Sequence, residues 1–534
     1  MLDLLLKNGR IVDGSGNPWY SGDVGIKDGA IAAVGRIDEE AGRVIDIGSA
    51  VIAPGFIDGH CHSDLMLIDH PYSEIKLRQG VTAEVVGNCG LAPAPFVRGK
   101  AQLLQTYVQP VLGSTAWEWP WETVGQYMER LAIARPSEHV ASYVAHGALR
   151  IAVMGFDNRP ASPAEIAEMK QMLEEGLQAG AIGLSIGLLY APGSYTSREE
   201  LAELCRVLPK YGGLLSAHIR GEGNNLLPSV KEAIWIAERA GIPLHISHLK
   251  AAGRINWGKV HDALELVEEA RARGMDVTVD VYPYNAGSTT LTTVLPPWVL
   301  EGGIEAALAA CREPALRRRI KEELGREQKD WDNLVCSTGW GSVVLSAVHT
   351  EANKPLEGKS IAEAAELRGT HPVDCMLDLL LEEDGQIAIV YFHMADDDVR
   401  QVVAYDKSLI ASDSLNCEIG KPHPRTYGTF PRLFAKYVRE DKVLSLEQAV
   451  RKVTSFPVRR FKLGRRGLIV PGYAADLTVF DPGTIRDTAT YADPRQYPSG
   501  ISHVVVGGHL TLEHGVHTRK REGVLIRACH CSRI

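Results

Sequence analysis

Short apolar runs alternate with long amphipathic stretches along this chain from about residue 57 onward. The apolar runs have the length expected of buried strands, and they lie at Val81–Val86, Ala181–Ser185, Leu214–His218, Leu244–His248, Asp276–Val281, Ile387–Phe392 and Leu409–Asp413. Stretches with helical periodicity separate them, at Pro163–Gln178, Arg198–Leu208, Leu227–Ala240 and Lys259–Ala272. Strands that alternate with helices predict an α/β fold with a parallel sheet. About eight such units predict a (β/α)8 TIM-like barrel with insertions, which we assign to residues 57–463.

The two ends of the chain have a different texture, made of short strand-like segments and glycine turns. At the beginning these segments include Leu2–Lys7, Asp23–Lys27 and Ala30–Val34, and helical periodicity is absent. The same pattern returns after residue 463, for example at Ala475–Phe480 and Ile501–Val506. We therefore expect residues 1–56 and 464–534 to form one small β-sandwich domain together.

Residues 287–348 interrupt the barrel pattern. They contain Pro296-Pro297 and a highly charged helical stretch around Arg312–Lys329, with little barrel-like sequence. We interpret this segment as a lobe inserted within the barrel. Because it follows Tyr282–Ser288, we hypothesise that it acts as a lid over the site.

Length and composition narrow the function classes. A chain of 534 residues is too long for one compact core, so we expect two or three domains. The net charge of −9 is spread along the chain without a basic block, which argues against nucleic-acid or membrane partners. Met1–Lys7 lacks the features of a signal peptide, and nine cysteines without repeated spacing do not indicate a disulfide framework. We expect a cytoplasmic protein that acts on a small molecule, and the oligomeric state stays open.

His60-Cys61-His62 is the most informative motif in the sequence, because it directly follows the apolar run Val51–Ile57. We interpret this run, closed by Asp58-Gly59, as one buried strand that ends at a tight turn. Side chains alternate along a strand, so residues two apart point to the same side. His60 and His62 can therefore reach one cation from the end of a strand. Neutral imidazole is a good ligand for zinc-like metals.

Other metal-capable residues follow further predicted strands, where the functional groups of β/α barrels lie. They are Cys89, His218, His248 and Asp413. With the two histidines of the motif they could hold one or two zinc ions and leave a position for water. Each has a plainer alternative: a buried structural thiol for Cys89, hydrogen-bonded core histidines, and a helix N-cap for Asp413. The tail Cys529-His530-Cys531 is also metal-capable, but it lies in a short polar terminus and we assign no site there.

These residues belong to motifs that, in this order, resemble the amidohydrolase superfamily and within it the N-acyl-D-amino-acid deacylase (D-aminoacylase) family. The resemblance covers nearly the whole chain, and its motifs are Asn8-Gly9-Arg10-Ile11-Val12-Asp13-Gly14, Ala53-Pro54-Gly55-Phe56-Ile57-Asp58-Gly59-His60, Gly87-Asn88-Cys89-Gly90, Gly183-Leu184-Ser185, Tyr190-Ala191-Pro192-Gly193, His218-Ile219-Arg220, Ser247-His248-Leu249-Lys250, Asp280-Val281-Tyr282-Pro283-Tyr284, Ser412-Asp413, the run from His423 to Arg432, and Pro471-Gly472-Tyr473-Ala474-Ala475-Asp476-Leu477. Gly-Asn-Cys-Gly is the family-specific element, because many amidohydrolases bridge two metals with a carboxylated lysine instead. One departure is Cys61 between the two histidines, where relatives commonly carry a small hydroxyl residue.

The resemblance implies a metal site and a set of substrate contacts. Cys89, His218 and His248 would hold the tighter zinc, and a weaker second site would use His60, His62 and Asp413 with Cys89 shared. Substrate contacts are implied for Lys250, Tyr282, Ser288, Tyr190 and Arg425.

The expected reaction is zinc-dependent hydrolysis of N-acyl-D-amino acids to a carboxylate and a free D-amino acid. Metal-activated water would attack the amide, with Asp413 as general base and then general acid. Arg425 offers a planar fork and Lys250 a point charge for the substrate carboxylate. The D configuration comes from the resemblance alone. Alternatives are a metal-dependent hydrolase of another amide, such as a dipeptide or a cyclic amide, and an inactive assembly protein.

Overall fold

The computed structural model describes residues 1–97, 99–415 and 419–528. In chain order its strands are β1 (Leu2–Ile11), β2 (Tyr20–Lys27), β3 (Ala30–Gly35), β4 (Ala41–Asp46), β5 (Val51–Pro54), β6 (Phe56–Asp58), β7 (Val81–Val86), β8 (His139–Ser142), β9 (Val144–Ala145), β10 (Gly183–Gly187), β11 (Leu214–His218), β12 (Leu244–Ile246), β13 (Val277–Val281), β14 (Ala286–Thr290), β15 (Val343–Ala347), β16 (Ala388–Phe392), β17 (Ser408–Ile410), β18 (Leu477–Phe480), β19 (Ile501–Val506), β20 (His509–Glu513) and β21 (Val516–His517).

The α-helices are α1 (Met66–Asp69), α2 (Glu74–Leu77), α3 (Ala101–Leu112), α4 (Val124–Ala134), α5 (His146–Met154), α6 (Pro163–Gln178), α7 (Arg198–Cys205), α8 (Leu226–Ala240), α9 (Val260–Ala272), α10 (Ile304–Arg312), α11 (Pro314–Leu324), α12 (Leu334–Thr338), α13 (Ile361–Arg368), α14 (Pro372–Glu382), α15 (Asp396–Ala404), α16 (Arg425–Arg432), α17 (Leu446–Val453) and α18 (Ser455–Phe461). A π-helical stretch, Leu433–Glu440, continues α16. Short 3-10 turns lie at Gly193–Tyr195, Leu208–Tyr211, Arg254–Asn256, Leu291–Val294, Pro297–Leu300, Trp340–Ser342 and Lys354–Leu356.

The middle of the chain forms a closed barrel of parallel strands. β6, β7 and β8 pair in that order, and β9 to β13 followed by β17 form a second run of neighbours. Only Tyr143 separates β8 from β9, so the two make one continuous barrel position. A parallel bridge between Cys61 and Ser414 joins the segment after β6 to the segment after β17. The ring therefore has eight positions, and the predicted (β/α)8 barrel is confirmed.

Local sequence signals explain the helices and strands that surround this barrel. β7 is buried along its whole length, as expected of a parallel strand covered on both faces. The helix α6 begins at a capping box in which Ser162 and Glu165 satisfy each other's backbone N–H groups, with Pro163 in the first turn. Within the described residues, no helix combines the length and the apolar character needed to cross a membrane.

Strands from both ends of the chain form one hydrogen-bonded sheet, in the order β21-β20-β19-β18-β5-β1-β2-β3 with β4 beside β1. The two ends meet where β18 runs antiparallel to β5, with Thr478 opposite Ala53. The apolar run Val51–Ile57 is therefore not one strand, contrary to our interpretation. It divides at Gly55, so β5 belongs to this terminal sheet and β6 to the barrel. The last described residues leave the sheet, since Leu525 bridges to Val140 and Ile526 packs in the barrel core.

A separate lobe lies between β13 and α15. β14, β16 and β15 form its three-stranded antiparallel sheet, and α10 to α14 pack on it around a hydrophobic core that runs from Leu291 to Tyr391. Ile387–Phe392, which the apolar pattern assigned to the barrel, instead provides the central strand of this sheet. An apolar run alone does not distinguish one buried strand from another. The lobe accordingly spans residues 286–392, more than the expected 287–348. Whether it moves as a lid stays a hypothesis.

Candidate metal centre

The six residues predicted to bind metal converge at the C-terminal rim of the barrel. His60 Nε2 lies 3.2 Å from Cys89 Sγ, which lies 3.6 Å from His248 Nε2. Asp413 Oδ1 lies 3.3 Å from the Nε2 atoms of both His60 and His62. The His218 ring packs against His248, with 4.3 Å between the ring centroids. All six side chains are buried, so distant parts of the chain meet in one cluster.

Three of these six residues adopt an unusual backbone conformation with a positive φ angle. Cys89, His248 and Asp413 have φ values of +54°, +34° and +47°. Non-glycine residues seldom adopt positive φ, and such strain concentrates at functional sites. The turn that carries Cys89 also presses against β10, because a Cβ atom on Gly187 would lie only 1.9 Å from the Cys89 carbonyl oxygen. The sequence around Cys89 is therefore built to bring its thiol to the barrel axis.

The charge state of the cluster suits a cation. Burial alone would raise the pKa of the Cys89 thiol, but the adjacent imidazoles, foremost His60, hold it well below its usual range. Within the part of the chain that the structure describes, both ring nitrogens of His218 and Nδ1 of His62 are buried without a hydrogen-bond partner. A thiolate, several imidazoles and a carboxylate form the donor set that zinc prefers. The residues present therefore fit a zinc-like divalent ion.

Asp280 holds the histidines in place, and sequence reasoning did not single it out. Its Oδ2 lies 3.1 Å from His60 Nδ1 and 2.8 Å from His245 Nε2, and its Oδ1 accepts from the His248 backbone N–H at 2.7 Å. Burial would raise the pKa of this carboxyl, but the neighbouring imidazoles, His60 first, keep it ionised. A carboxylate on Nδ1 leaves His60 Nε2 free to face a metal. The available signal was an acidic residue inside the apolar run Asp276–Val281.

Glu222 is a second residue that the sequence analysis missed. One oxygen of its buried carboxylate lies 2.5 Å from Lys250 Nζ and 3.0 Å from His248 Nδ1. Lys250 Nζ is also 2.8 Å from His248 Nδ1. Glu222 thus neutralises Lys250 and orients His248. The signal for it was weak, an acid between two glycines shortly after a strand-end histidine.

A buried ion cluster lies beneath the centre. Lys76 Nζ contacts Asp58 Oδ2 at 2.5 Å, Ser414 Oγ at 2.9 Å and Glu84 Oε2 at 3.3 Å. The Cys61 thiol, on the opposite face of the strand from the two histidines, donates to Glu84 at 2.9 Å. These acids already surround an ammonium group, so they are not a second metal site. Lys76 instead ties the segment that carries Asp413 to the first barrel strand.

The five predicted substrate contacts lie around the same rim. Lys250, Tyr190, Tyr282 and Ser288 line one pocket of about 80 Å³ together with all of the candidate metal ligands except His60. Ser288 Oγ donates to the Ile389 carbonyl at 3.0 Å, and the Tyr190 and His218 ring centroids are 4.9 Å apart. These substrate roles stay predictions.

Arg425 is not among the pocket residues. Its guanidinium is fully buried, lies 2.9 Å from Asp413 Oδ2 and stacks over the Tyr282 ring at 4.4 Å. Burial would raise the pKa of the Asp413 carboxyl, but Arg425 and then His60 hold it well below its usual range. The direct partner of Arg425 is therefore the predicted general base.

His393, which directly follows the last strand of the lobe, also lines the pocket. Burial, together with the positive charge of Lys250, lowers the pKa of His393 to about 3, so this imidazole is neutral. It was not among the predicted site residues, although it directly follows the apolar run Ile387–Phe392. The metal-capable tail Cys529-His530-Cys531 lies outside the described residues.

Comparisons with known proteins agree with this architecture. A model of the amidohydrolase family matches residues 43–511. The chain is 34% identical over 508 residues to D-aminoacylase and 36% identical over 510 residues to N-acyl-D-glutamate deacylase, both from Alcaligenes xylosoxydans xylosoxydans, and each alignment covers 95% of this chain and 93% of that protein. The crystal structure of N-acyl-D-glutamate deacylase from Bordetella bronchiseptica, complexed with zinc and a phosphonate mimic of the tetrahedral intermediate, superimposes with a TM-score of 0.84. It is 31% identical, and the match covers 99% of this chain and 100% of that one.

Proposed function

This chain belongs to the amidohydrolase family, and on that premise we propose that it is a metal-dependent hydrolase of N-acyl-D-amino acids, releasing a carboxylate and a free D-amino acid. The observation that carries the proposal is the meeting of Cys89 with four histidines and Asp413 at one barrel rim. Two relatives that match 95% of this chain are named D-aminoacylase and N-acyl-D-glutamate deacylase.

We infer that the metal is zinc, with Cys89, His218 and His248 as ligands of the tighter ion. A second ion would use His60, His62 and Asp413, with Cys89 shared. When bound, zinc supplies hydroxide at neutral pH and a Lewis acid for the acyl oxygen. Two features of the protein favour binding of this ion: the lowered pKa of Cys89 favours its thiolate form, and the contact of His60 Nδ1 with Asp280 leaves His60 Nε2 facing the other ligands.

Asp413 moves the proton in the proposed reaction. Arg425 holds Oδ2 of its carboxylate, which leaves Oδ1 directed at the histidine cluster. From this position the carboxylate accepts a proton from the attacking water and returns it to the departing amine. Because Arg425 keeps Asp413 ionised, the base form is present across the neutral pH range.

Lys250, assisted by Tyr282 and Ser288, receives the substrate's α-carboxylate in this proposal. The ammonium group of Lys250 already forms an ion pair with the Glu222 carboxylate, so the substrate carboxylate binds beside this pair. Around these groups the pocket is lined by apolar residues of the lobe, including Val294, Leu334 and Val335. Lys250 is the only lysine or arginine among the described pocket residues, so we propose apolar D-amino acids as the preferred leaving groups.

The test is amine release by the zinc-loaded protein from N-acetyl derivatives of D-leucine, L-leucine and D-glutamate. We expect turnover of the D-leucine derivative, with at least tenfold lower kcat/KM for the other two. Asp413→Asn should lower kcat by about 10²–10⁴-fold, whereas the exposed Asp262→Asn serves as the matched control and should keep full activity.

Three results would contradict this proposal. Equal rates on D- and L-leucine derivatives would refute the assigned chirality, and a preference for D-glutamate would refute the apolar pocket. The absence of all turnover, in protein that metal analysis shows to be loaded, would refute the activity.

A further inference from the structure

A cavity of about 970 Å³ adjoins the metal centre and is about twelve times larger than the pocket around it. It lies between α3, the segment after β10 and the start of the lobe. One face of α3 lines it, through Leu103, Thr106, Tyr107 and Pro110, positions three and four apart that share one side of a helix. The opposite face of the helix, with Leu104 and Val108, is buried in the barrel core. Small-molecule sites commonly occupy about 300–1,000 Å³, so this cavity is at the upper end of that range.

The cavity adjoins the catalytic pocket and shares part of its wall. Leu91, Leu189 and Tyr190 line both spaces. Leu91 lies two residues after Cys89, and the Tyr190 ring packs on His218. The Tyr190 hydroxyl reaches across to Thr289 Oγ1 of the lobe at 3.3 Å, so the junction is bounded by both the barrel and the lobe. A substrate whose amide lies at the metal cluster therefore has one end within reach of the cavity.

The charged residues that line the cavity indicate which end that is. Carboxylates line it at Glu301, Glu305, Asp330 and Asp332, and these would repel a substrate carboxylate. Its described arginines are already paired: Arg220 with Glu232 at 2.9 Å and with the Ser194 carbonyl at 2.7 Å, and Arg198 with Glu199 at 2.8 Å. Lys250, the cation of the catalytic pocket, does not line the cavity. The amino-acid half of the substrate carries a carboxylate and belongs beside Lys250. The acyl half, on the other side of the scissile bond, then points toward the cavity.

We propose that this cavity binds the acyl group, and that the substrates carry long apolar N-acyl chains. This proposal rests on the proposed function, because it assigns the acyl half of that same substrate. An acetyl group presents one methyl and leaves the cavity unfilled, whereas a medium-length or long alkyl chain can bury itself there. Burying one methylene improves binding by about fourfold at best. Since the remote chain binds the ground state and the transition state equally, the gain appears in KM rather than in kcat.

The experiment uses zinc-loaded protein and N-acetyl-, N-butanoyl- and N-octanoyl-D-leucine. For the wild type we expect kcat/KM to rise at least 30-fold from acetyl to octanoyl. Thr106→Trp fills the cavity from the α3 face, so it should abolish this rise while turnover of the acetyl derivative is unchanged. Thr106→Val is the matched control and should show the same rise as the wild type. Leu103→Trp, at a position 37% exposed, is a second filling variant that does not depend on tolerance of a large group at Thr106. Calorimetric binding of octanoate itself is measured in parallel.

The possible outcomes separate the cavity from the activity. A chain-length gain in the wild type and the Val variant that both Trp variants lose supports the proposal. If the wild type hydrolyses N-acetyl-D-leucine as efficiently as N-octanoyl-D-leucine, the proposed acyl site is refuted and the proposed function is not affected. If no amide is hydrolysed but octanoate binds the wild type at least tenfold more tightly than the Trp variants, the acyl site stands and the proposed function falls. If the protein hydrolyses none of the amides and does not bind octanoate, both the acyl site and the proposed function are refuted.

Discussion

Replacing Asp280 with Asn should weaken metal binding at His60 without removing any ligand. The carboxylate accepts from three donors, His60 Nδ1, His245 Nε2 and the His248 backbone N–H. An asparagine has one acceptor oxygen, so its NH2 group must face either the two imidazoles or that backbone N–H. In the first arrangement His60 Nδ1 becomes an acceptor and its proton moves to Nε2, the atom that faces the cluster.

The expected loss of zinc affinity can be calculated from the lost hydrogen bond between the Asp280 carboxylate and His60. A hydrogen bond to a charged group contributes about 1.5–3 kcal/mol, which corresponds to roughly 10–150-fold in an equilibrium constant. Loss of a carboxylate behind a metal-binding histidine typically costs 10–100-fold in affinity. We therefore expect zinc affinity at the site that contains His60 to fall by about 10–100-fold.

The assay is zinc titration against a competing chelator at pH 7.5, with thermal unfolding to verify that each variant is folded. Thr278→Val is the control, because Thr278 Oγ1 contacts the other nitrogen of His245 at 2.8 Å and no predicted ligand. It should lose about 1 kcal/mol of stability and keep zinc affinity within threefold. A folded Asp280→Asn variant with unchanged affinity at every zinc site would refute the reasoning.

Three further predictions concern stability. Lys76→Met leaves buried carboxylates without their cation, so the free energy of unfolding should fall by about 3–5 kcal/mol in urea titrations; a loss below 1 kcal/mol would contradict this. Burial would raise the pKa of Asp476, but contacts led by His139 and then Arg466 lower it to about 2 in the folded protein. Because the pKa of this carboxyl in the unfolded chain is near 4, its ionisation contributes about 2 kcal/mol of stability above pH 4, and this contribution disappears between pH 4 and 2. Asp476→Asn should lose that amount of stability at pH 7, and its free energy of unfolding should depend less on pH between pH 4 and 2. An unchanged pH dependence in this range would show that Asp476 is not the group responsible. Zinc at 100 times its Kd should stabilise the protein by about 2.7 kcal/mol relative to the chelated form; Cys89→Ala should abolish the shift, and a full shift in that variant would exclude Cys89 as a ligand.

The barrel could be predicted because its strands and helices repeat with two different periods that are visible in the apolar pattern. The errors occurred where a strand's partners lie far away in the chain. Ile387–Phe392 has the composition of a barrel strand, yet its neighbours are two strands of the lobe. Val51–Ile57 reads as one run, yet Gly55 divides it between two sheets.

The convergence of the candidate metal ligands could be predicted for a related reason. Imidazole, thiolate and carboxylate groups that follow strands must meet at one rim once the strands form a barrel. The groups that support them carry no such signal. Asp280, Glu222 and Lys76 acquire their roles from partners that are not their neighbours in the sequence, such as His60 for Asp280 and Ser414 for Lys76.

The sequence by itself determined which chemical groups this protein has and at which end of each barrel strand they stand, because strand period and residue type are local properties. Only the tertiary structure decided how those groups are charged and oriented, and how much space adjoins them. Burial, hydrogen-bond partners and cavities depend on segments hundreds of residues apart. The lowered pKa of the Cys89 thiol and the large cavity near it both arise in that way.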